Sequence, residues 1–465
     1  MVKNYRPVSH LVELGLLVER AVCHQILNHF IKNDLLHGNH HGSVPNHSTA
    51  TALIQIYDLA LRAADDKKMS ALLLLDQTAA YDLLDHNILL KKLKQYAFDE
   101  KSIKWVNSYL CDRSQSVLIE SKLSPSVKIG EFGAPQGSLL GGLLFIINEN
   151  DFPSCRLEGE SILYVDDDSD IVHDNDPDVL LEKIQLEANA SCSWLKDNRM
   201  CVAGEKSKLL IICTDELRRA RLGPDRRSIN VDEKVVEETT SEKTLGIIFS
   251  NNLLWKEYLD GLMSSLSQRL GILKRLSKFC SRSKLSMLSE GIFYSKLRYC
   301  LPLVTTTWGL DEFKDSNCRF PNFTLEDNRK LQVLQNQVCR IILGKQSIFE
   351  KQLLPTSDLL LQCNQLSIHQ LGAFTTVMMA KKILISGKPI YLRSRLKKQI
   401  SGRTRESKAL MSINARLNTT RSSFVYRSIK LLNRLPQELR DELDLEKFKQ
   451  GLKTWIKCSI DVKPQ

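Results

Sequence analysis

The chain of 465 residues lacks any long apolar run. Stretches such as Ala71 to Leu75 fall far short of the roughly 20 residues that a helical membrane span needs. The opening MVKNYRPVSHLVELG carries Arg6, Pro7 and Glu13 and has no apolar core of the signal-peptide kind. The expectation is an intracellular protein, cytoplasmic or nuclear, with no membrane partner. The 12 cysteines are scattered and form no Cys-x-x-Cys pair. That argues against a zinc ribbon and against a secreted disulfide framework, and leaves most of them as buried thiols. No internal repeat and no long low-complexity tract appears. His37, His40, His41 and His47 cluster in HGNHHGSVPNHS, but their spacing is irregular and no Cys or carboxylate is interleaved. A zinc site is therefore not expected there.

What is present is a globular composition, 43 % apolar, with length for about two or three domains. The net charge is +11 and the pI about 9.0. Such a balance points to a polyanionic partner, nucleic acid before membrane; a merely soluble basic protein is the plain alternative.

Against this basic background, ILYVDDDSDIV at 162–172 stands out, with Asp166, Asp167 and Asp168 adjacent and Asp170 two residues on. Clustered carboxylates resist full ionisation. The two apolar arms about the acidic centre predict a hairpin. The stretch is either a solvated acidic turn or a metal site. Upstream, Ser48 and Thr49 can cap a helix with Leu53, Ile56, Ala60 and Ala63 on its apolar face. ALLLLD at 71–76 reads as a strand buried on both faces that delivers Asp76 at its end. A helix is expected from near Asn87 to Tyr96, and short strands with turns over 116–135. A buried helix is expected after residue 137, despite Gly141 and Gly142.

Asp176 and Pro177 open a further helix with Leu181, Ile184, Ala188 and Leu195 at helical spacing. KLLIICT and KTLGIIF read as two strands. After Trp255 the pattern turns helical and basic, with Arg269, Lys274, Arg275, Lys278, Arg282 and Lys284. Residues 309–326 read as a linker, and a helix resumes from Glu326 to Leu343. The stretch 391–430 holds eleven Lys/Arg and one acid, Glu406.

An acid ending one strand and an acid pair at a hairpin turn can meet if the strands are neighbours. Carboxylates are the oxygen ligands that Mg2+ or Mn2+ prefers, and two such ions about 4 Å apart can drive phosphoryl transfer. Asp76 begins DQTAAYDLLDHNILL, with Tyr81-Asp82 and Asp85-His86; Pro135 to Ser138 spell Pro-Gln-Gly-Ser; Tyr164-Val165-Asp166-Asp167 follow. This order resembles the reverse transcriptases of non-LTR retrotransposons, of the broad Jockey-like kind. NYRPVS at 4–9, WVNSYLCDRSQSV at 105–117, the Trp194 helix with Lys206-Ser207, LGIIFSNNLLW from Leu245 and SFVYRSIKLLNRLPQELR from Ser423 also resemble their segments, in order.

The resemblance implies an α+β right-hand polymerase. Residues 1–254 would hold a fingers remnant and a ferredoxin-like palm, 255–308 a helical thumb, 309–326 the linker, and 327–465 a basic helical region that binds nucleic acid. It implies an RNA-directed DNA polymerase working with an RNA template, a DNA primer, deoxynucleoside triphosphates and two Mg2+ or Mn2+ ions. Asp76 and Asp166 would be the main metal ligands, Asp167 an auxiliary one, and the Gln77 carbonyl a further donor. Tyr81 would lie beneath the sugar and reject a 2′-hydroxyl; its plain alternative is a core aromatic. Pro135, Gln136, Gly137 and Tyr164 would line the nucleotide and template path. Arg6 would reach the incoming phosphates, or be a surface charge. Lys206 would protonate the leaving pyrophosphate, or only touch a phosphate. Leu245 and Gly246 would belong to the primer grip. Arg269, Lys274, Arg275, Lys278, Arg393, Arg395, Lys397 and Lys398 would face the duplex through its phosphates.

Several positions depart from the family pattern. Val44 stands where an arginine is usual, Gly142 for a proline, NEND at 148–151 for a Tyr-Ile-Asn-Asp-like end, Ala203 for an asparagine, and Asp168 for a threonine-like residue. Asp168 reads as an intruder in the site and Asp170 as a solvated residue of the hairpin. The chain opens almost on the fingers motif, so the expectation is a truncated open reading frame without the upstream endonuclease. The departures together suggest a decaying copy, and the alternative function is a remnant that only binds RNA or DNA. A maturase or host-adopted polymerase is a third reading.

Overall fold

Six strands of mixed direction, flanked by helices, build the part of the molecule that carries the acids. A computed structural model describes residues 8–304, 323–344, 354–397 and 409–459. Arg6, Lys398 and most of the expected linker lie outside the described residues. The chain falls into two units. The first comprises 1–52, 70–211 and 224–239; the second comprises 53–69, 212–223 and 240–465. The division therefore does not follow the expected boundary at 254, since three shorter segments before it group with the second unit.

In the first unit the sheet contains β1 (Met69–Asp76), β6 (Glu160–Tyr164), β7 (Asp167–Asp174), β8 (Lys208–Ile212), β9 (Ser228–Val231) and β10 (Lys234–Thr239), in the order β6-β7-β1-β8-β10-β9. β1 is apolar from Ala71 to Leu75 because it sits in the interior of this sheet, with buried residues on both faces. β6 and β7 pair antiparallel, from Glu160 opposite Ile171 to Tyr164 opposite Asp167. The expected short strands are β2 (Ser114–Gln115), β3 (Leu118–Ile119), β4 (Lys122–Leu123) and β5 (Val127–Lys128), which form two small antiparallel ribbons.

Helices α1 (Glu13–Lys32), α3 (His86–Gln95), α4 (Glu100–Leu110) and α5 (Leu139–Glu149) pack together through Ile26, Phe30, Leu89, Leu93, Val106, Leu140, Leu144 and Ile147. Their caps follow the sequence closely. Asp85 accepts from the Ile88 N–H, Asp99 from the Ser102 N–H and Ser138 from the Gly141 N–H. α6 (Pro177–Asp197) starts with Pro177 after Asp176, whose carboxylate takes the N–H groups of Asp178 and Val179. Its buried stripe runs through Leu180, Ile184, Ala188 and Leu195, one residue earlier at the start than the Leu181 expected.

α2 (Thr49–Asp65) begins as expected, with Ser48 Oγ accepting from Thr51 N–H, and Leu53, Ile56, Ala60 and Ala63 are all buried. The second unit is mainly helical, with α7 (Asp215–Arg221), α8 (Lys256–Leu276), α9 (Arg282–Ser289) and further helices at Leu325–Ile342, Ile368–Ser386, Phe424–Arg434 and Leu445–Ser459. KTLGIIF is not one strand. It is a hairpin of β11 (Ser241–Thr244) and β12 (Ile247–Ser250), turned at Leu245-Gly246. Among the described residues no helix is long and apolar enough to cross a membrane.

Candidate active site

The hairpin places Val165 and Asp166 in a two-residue turn between β6 and β7. Val165 has φ +60, a region that a β-branched residue enters only when its surroundings force it. Asp166 is half-buried and Asp167 is exposed at the start of β7. β7 lies beside β1 in the sheet. Near the far end of this pair, His173 Nδ1 meets Ser70 Oγ at 2.8 Å. Ser70 lies near the start of β1 and His173 near the end of β7, so the two strands run in opposite directions. The end of β1, with Asp76, therefore lies beside the start of β7 and its turn.

Asp76 is about a third exposed, and Lys206 Nζ lies 3.2 Å from its Oδ2. That oxygen accepts no well-aligned hydrogen bond. The main chain sets this up: Ala203 N–H donates to the Asp76 carbonyl at 2.8 Å, and Lys206 N–H and Ser207 N–H both donate back to the Ala203 carbonyl. A tight turn thus lays Lys206 over Asp76, and it needs only the main chain of residue 203. Thr78 N–H donates to Cys201 O, so Gln77 pairs with Val202 through its neighbours, and its own carbonyl points away from that segment. The Gln77 side chain turns to the helical side and donates to Glu149 Oε1 at 2.6 Å. Glu149 is fully buried; burial, with Asp168 and Asp166 adding to it, raises its pKa well above the usual carboxylate range against the pull of the Gln77 bond.

Tyr81 stacks on Phe145 with centroids 4.9 Å apart and 18° between planes. Burial first, then the charge of Asp166, pushes its phenol up, and Tyr81 packs against the same buried cluster as Val165 of the turn. A Cβ at Gly142 would meet the Tyr81 hydroxyl at an ordinary 3.7 Å. The Pro135-Gln136-Gly137 loop is tied at both ends. Ala134 N–H donates to Tyr81 O, and Ser9 N–H to Gln136 O, both at 2.8 Å. Gly137 has φ +109, a conformation that favours glycine, and a Cβ there would come a tight 3.3 Å from the Ser9 carbonyl oxygen. Tyr164 is half-buried and pairs with Asp167.

Asp168 and Asp170 do not behave as expected. Both are buried, on the opposite face of β7 from Asp167. Ser161 Oγ lies 2.8 Å from Asp168 Oδ1 and 2.7 Å from Asp170 Oδ1. One hydroxyl hydrogen cannot serve two carboxylates at once. Burial first, then the charge of Asp170, raises the Asp168 carboxyl well above the carboxylate range. Asp170 instead pairs with Arg156 at 2.5 Å and accepts from Ser191 Oγ at 2.9 Å. Asp168 is thus no intruder among the exposed acids, and Asp170 is not solvated; alternation along the strand turns both inward.

Three supporting groups were not legible as site residues. Glu19, buried in α1, accepts from Ser138 Oγ at 2.9 Å, Leu139 N–H at 3.0 Å and Tyr109 Oη at 2.9 Å, and so anchors the helix that follows the Pro-Gln-Gly loop. A signal existed: Glu19 lies on the same helical stripe as Ile26 and Phe30. His86 Nε2 meets Gly133 O at 2.8 Å and steadies the loop ahead of Pro135. Arg156 had no signal beyond being one arginine near the acids.

The remaining candidates belong to the second unit. Leu245 and Gly246 both have positive φ, 46° and 80°, the pattern of a type I′ turn. Tyr299 backs it, its hydroxyl donating to Leu245 O and its ring 3.3 Å from where a Gly246 Cβ would sit. Arg269 donates to Ile292 O at 2.7 Å, while Lys274, Arg275 and Lys278 are exposed. Arg393 donates to Leu396 O, Arg395 is ion-paired with buried Asp58 at 2.8 Å, and Lys397 is exposed. Arg395 thus has a structural partner that its basic surroundings did not suggest.

The chain is 25 % identical over 346 residues to the probable RNA-directed DNA polymerase from transposon X-element of Drosophila melanogaster, covering 73 % of this chain and 36 % of that protein. It is 26 % identical over 312 residues to the RNA-directed DNA polymerase from mobile element jockey of Drosophila funebris, covering 63 % and 33 %. The chain thus spans about a third of the length of these relatives. Among solved structures, apo telomerase from Candida tropicalis aligns with 96 % of this chain and 62 % of its own, at 14 % identity and a TM-score of 0.41. Residues 2–249 match the family described as reverse transcriptase (RNA-dependent DNA polymerase), and the chain belongs to that family.

Proposed function

We propose that the chain is the RNA-directed DNA polymerase of a Jockey-like non-LTR retrotransposon, extending a primer 3′-hydroxyl on an RNA template with deoxynucleoside triphosphates. The observation that carries this reading is the delivery of Asp76 and the Asp166 turn to one edge by neighbouring, oppositely directed strands, with Lys206 on Asp76.

The donor set fits a divalent ion of the open kind. Among the described residues no three His, Cys, Asp or Glu side chains form a metal cage. Mg2+ is commonly held by one or two carboxylates and completed by substrate phosphates, so a closed cage is not required. Asp76 Oδ2, without a well-aligned donor and with an ammonium beside it, is an oxygen suited to a cation. Asp76 and Asp166 would be the principal ligands, Asp167 an auxiliary one, and the Gln77 carbonyl a further donor. When bound, two Mg2+ or Mn2+ ions would activate the attacking hydroxyl and offset charge on the leaving pyrophosphate.

This chain's own residues do the rest. Tyr81, stacked on Phe145 and close to the acidic turn, presents a rigid edge beneath the incoming sugar and excludes a 2′-hydroxyl. Gln136 and Gly137 offer main-chain surface to the nucleotide and template. Lys206, beside Asp76, would give a proton to a leaving pyrophosphate oxygen, the attacking hydroxyl having lost one. Lys274, Arg275, Lys278 and Lys397, all exposed, contact phosphates of the RNA–DNA duplex. Primer extension on a homopolymeric RNA template with Mg2+ tests the reading. Template-dependent deoxynucleotide incorporation is expected, and its absence across a range of Mg2+ and Mn2+ concentrations overturns the activity.

A further inference from the structure

The histidine-rich stretch at 37–47 bears on the acidic turn. Residues 39–41 run parallel to β6: His41 N–H donates to Leu163 O at 2.8 Å, and Leu163 N–H donates to Asn39 O at 3.0 Å. Both histidines are buried anchors. His41 Nδ1 meets Thr51 Oγ1 at 2.9 Å, and His40 Nε2 meets the Glu149 carbonyl at 3.3 Å. The strip therefore has little freedom to move, and its next residue, Gly42, abuts the acidic turn.

A Cβ on Gly42 would lie 2.6 Å from Val165 N, 2.6 Å from Val165 Cγ2 and 3.1 Å from the Tyr164 carbonyl carbon. Two of these are main-chain atoms that cannot swing aside. Gly42 itself has no positive φ, so the glycine is needed for space and not for its own backbone. Val165, one residue before Asp166, is the residue held at φ +60. We infer that Gly42 is a positioning residue: the strip 39–42 presses on the Val165 peptide, holds the left-handed turn, and so fixes the Asp166 carboxylate for its metal. The inference rests on the polymerase reading for the metal, but the contact with the turn does not.

The test is Gly42→Ala in the full chain, with three readouts. Mn2+ binding to the protein without substrates, followed by electron paramagnetic resonance, is expected to weaken about tenfold, and single-turnover extension to slow roughly 100-fold, the scale of an ångström-sized misplacement. Affinity for primer–template is expected to stay within about twofold, because phosphate contacts elsewhere dominate it. Hydrogen exchange of the segment 162–168 is expected to accelerate. Val165→Gly added to Gly42→Ala removes the Cγ2 contact and the left-handed strain and is expected to recover part of the Mn2+ affinity.

Wild-type Mn2+ affinity together with wild-type exchange at 162–168 in Gly42→Ala overturns the inference. If the wild-type chain itself neither binds Mn2+ nor extends a primer, the polymerase reading fails, and the exchange readout alone decides the role of Gly42. Should Gly42→Ala not fold, His41→Ala frees the strip without adding volume. Faster exchange at 162–168 with unchanged helix content is then expected, and unchanged exchange overturns the inference.

Discussion

Lys206 carries its ammonium 3.2 Å from Oδ2 of Asp76, and the same two segments are tied by Ala203 N–H on the Asp76 carbonyl. The ammonium occupies a place that a divalent ion also favours. Lys206→Ala should therefore tighten Mn2+ binding modestly, because Lys206 is mostly exposed and screened. The same change should lower the extension rate by roughly 100-fold if Lys206 is the proton donor. Mn2+ titration beside single-turnover kinetics checks both; a rate unchanged with ion affinity unchanged removes Lys206 from the chemistry.

The buried ion pair beneath the hairpin gives a stability prediction. Arg156 and Asp170 are 5 % and 1 % exposed, and Glu187 Oε2 lies 3.6 Å from the same guanidinium nitrogen. Arg156→Met leaves these acids without their cation and should cost about 3–5 kcal/mol. Urea unfolding measures it, and adding Asp170→Asn should restore a part. An Arg156→Met protein as stable as wild type would mean that the acids are relieved by protonation alone.

Glu19 predicts a separation of effects. Glu19→Gln turns one of its two acceptor ends into a donor, which then faces either Tyr109 Oη or the pair Ser138 Oγ and Leu139 N–H. The expected loss is about 1–3 kcal/mol of stability. A rise in KM for deoxynucleotide should accompany it, since the anchored helix follows the Pro-Gln-Gly loop. Steady-state kinetics at saturating primer–template checks this; a change in kcat with KM untouched would place Glu19 outside nucleotide binding.

His40 gives the pH dependence. Burial pulls its imidazole from 6.5 down to about 4, so the folded state holds it neutral. The groups facing it include the Glu149 carbonyl, which favours the charged ring, and His37 and His47, which oppose it. Above pH 6.5 neither folded nor unfolded chain protonates it and its neutral state carries no penalty. As pH falls from 6.5 towards 4 the unfolded chain takes the proton first, and stability is lost, in total on the order of 3 kcal/mol. His40→Gln should flatten that limb of the stability profile, read by thermal unfolding between pH 7 and 4. An unchanged slope would show that other groups set it.

How much of this was legible in the sequence depends on range. The ends of elements were clear where a short-range signal set them, as at Asp176-Pro177 and the two apolar arms about Asp166. The three motif acids could be singled out because their order along the chain resembles that of a known family. The sides of β7 were misread because an acid in a strand looks solvated until its partner is known, and Arg156 is supplied from outside the hairpin. The ion pair of Arg395 was missed for the same reason, its partner Asp58 lying 337 residues away. KTLGIIF was read as one strand because the turn at Leu245-Gly246 puts an apolar residue where Asn or Asp is usual. Gly42 was passed over because its neighbour is Val165, a contact between distant parts of the sequence.

The central claim is that Asp166, in the turn beside the end of β1, holds the metal for nucleotide transfer. Primer extension on an RNA template by wild type and Asp166→Asn, with primer–template affinity measured on both, tests it most directly. The account predicts extension by wild type, a loss of at least about 1,000-fold in Asp166→Asn, and equal or tighter nucleic-acid binding by the variant as one negative charge is removed. Extension by Asp166→Asn at a rate near wild type would contradict it.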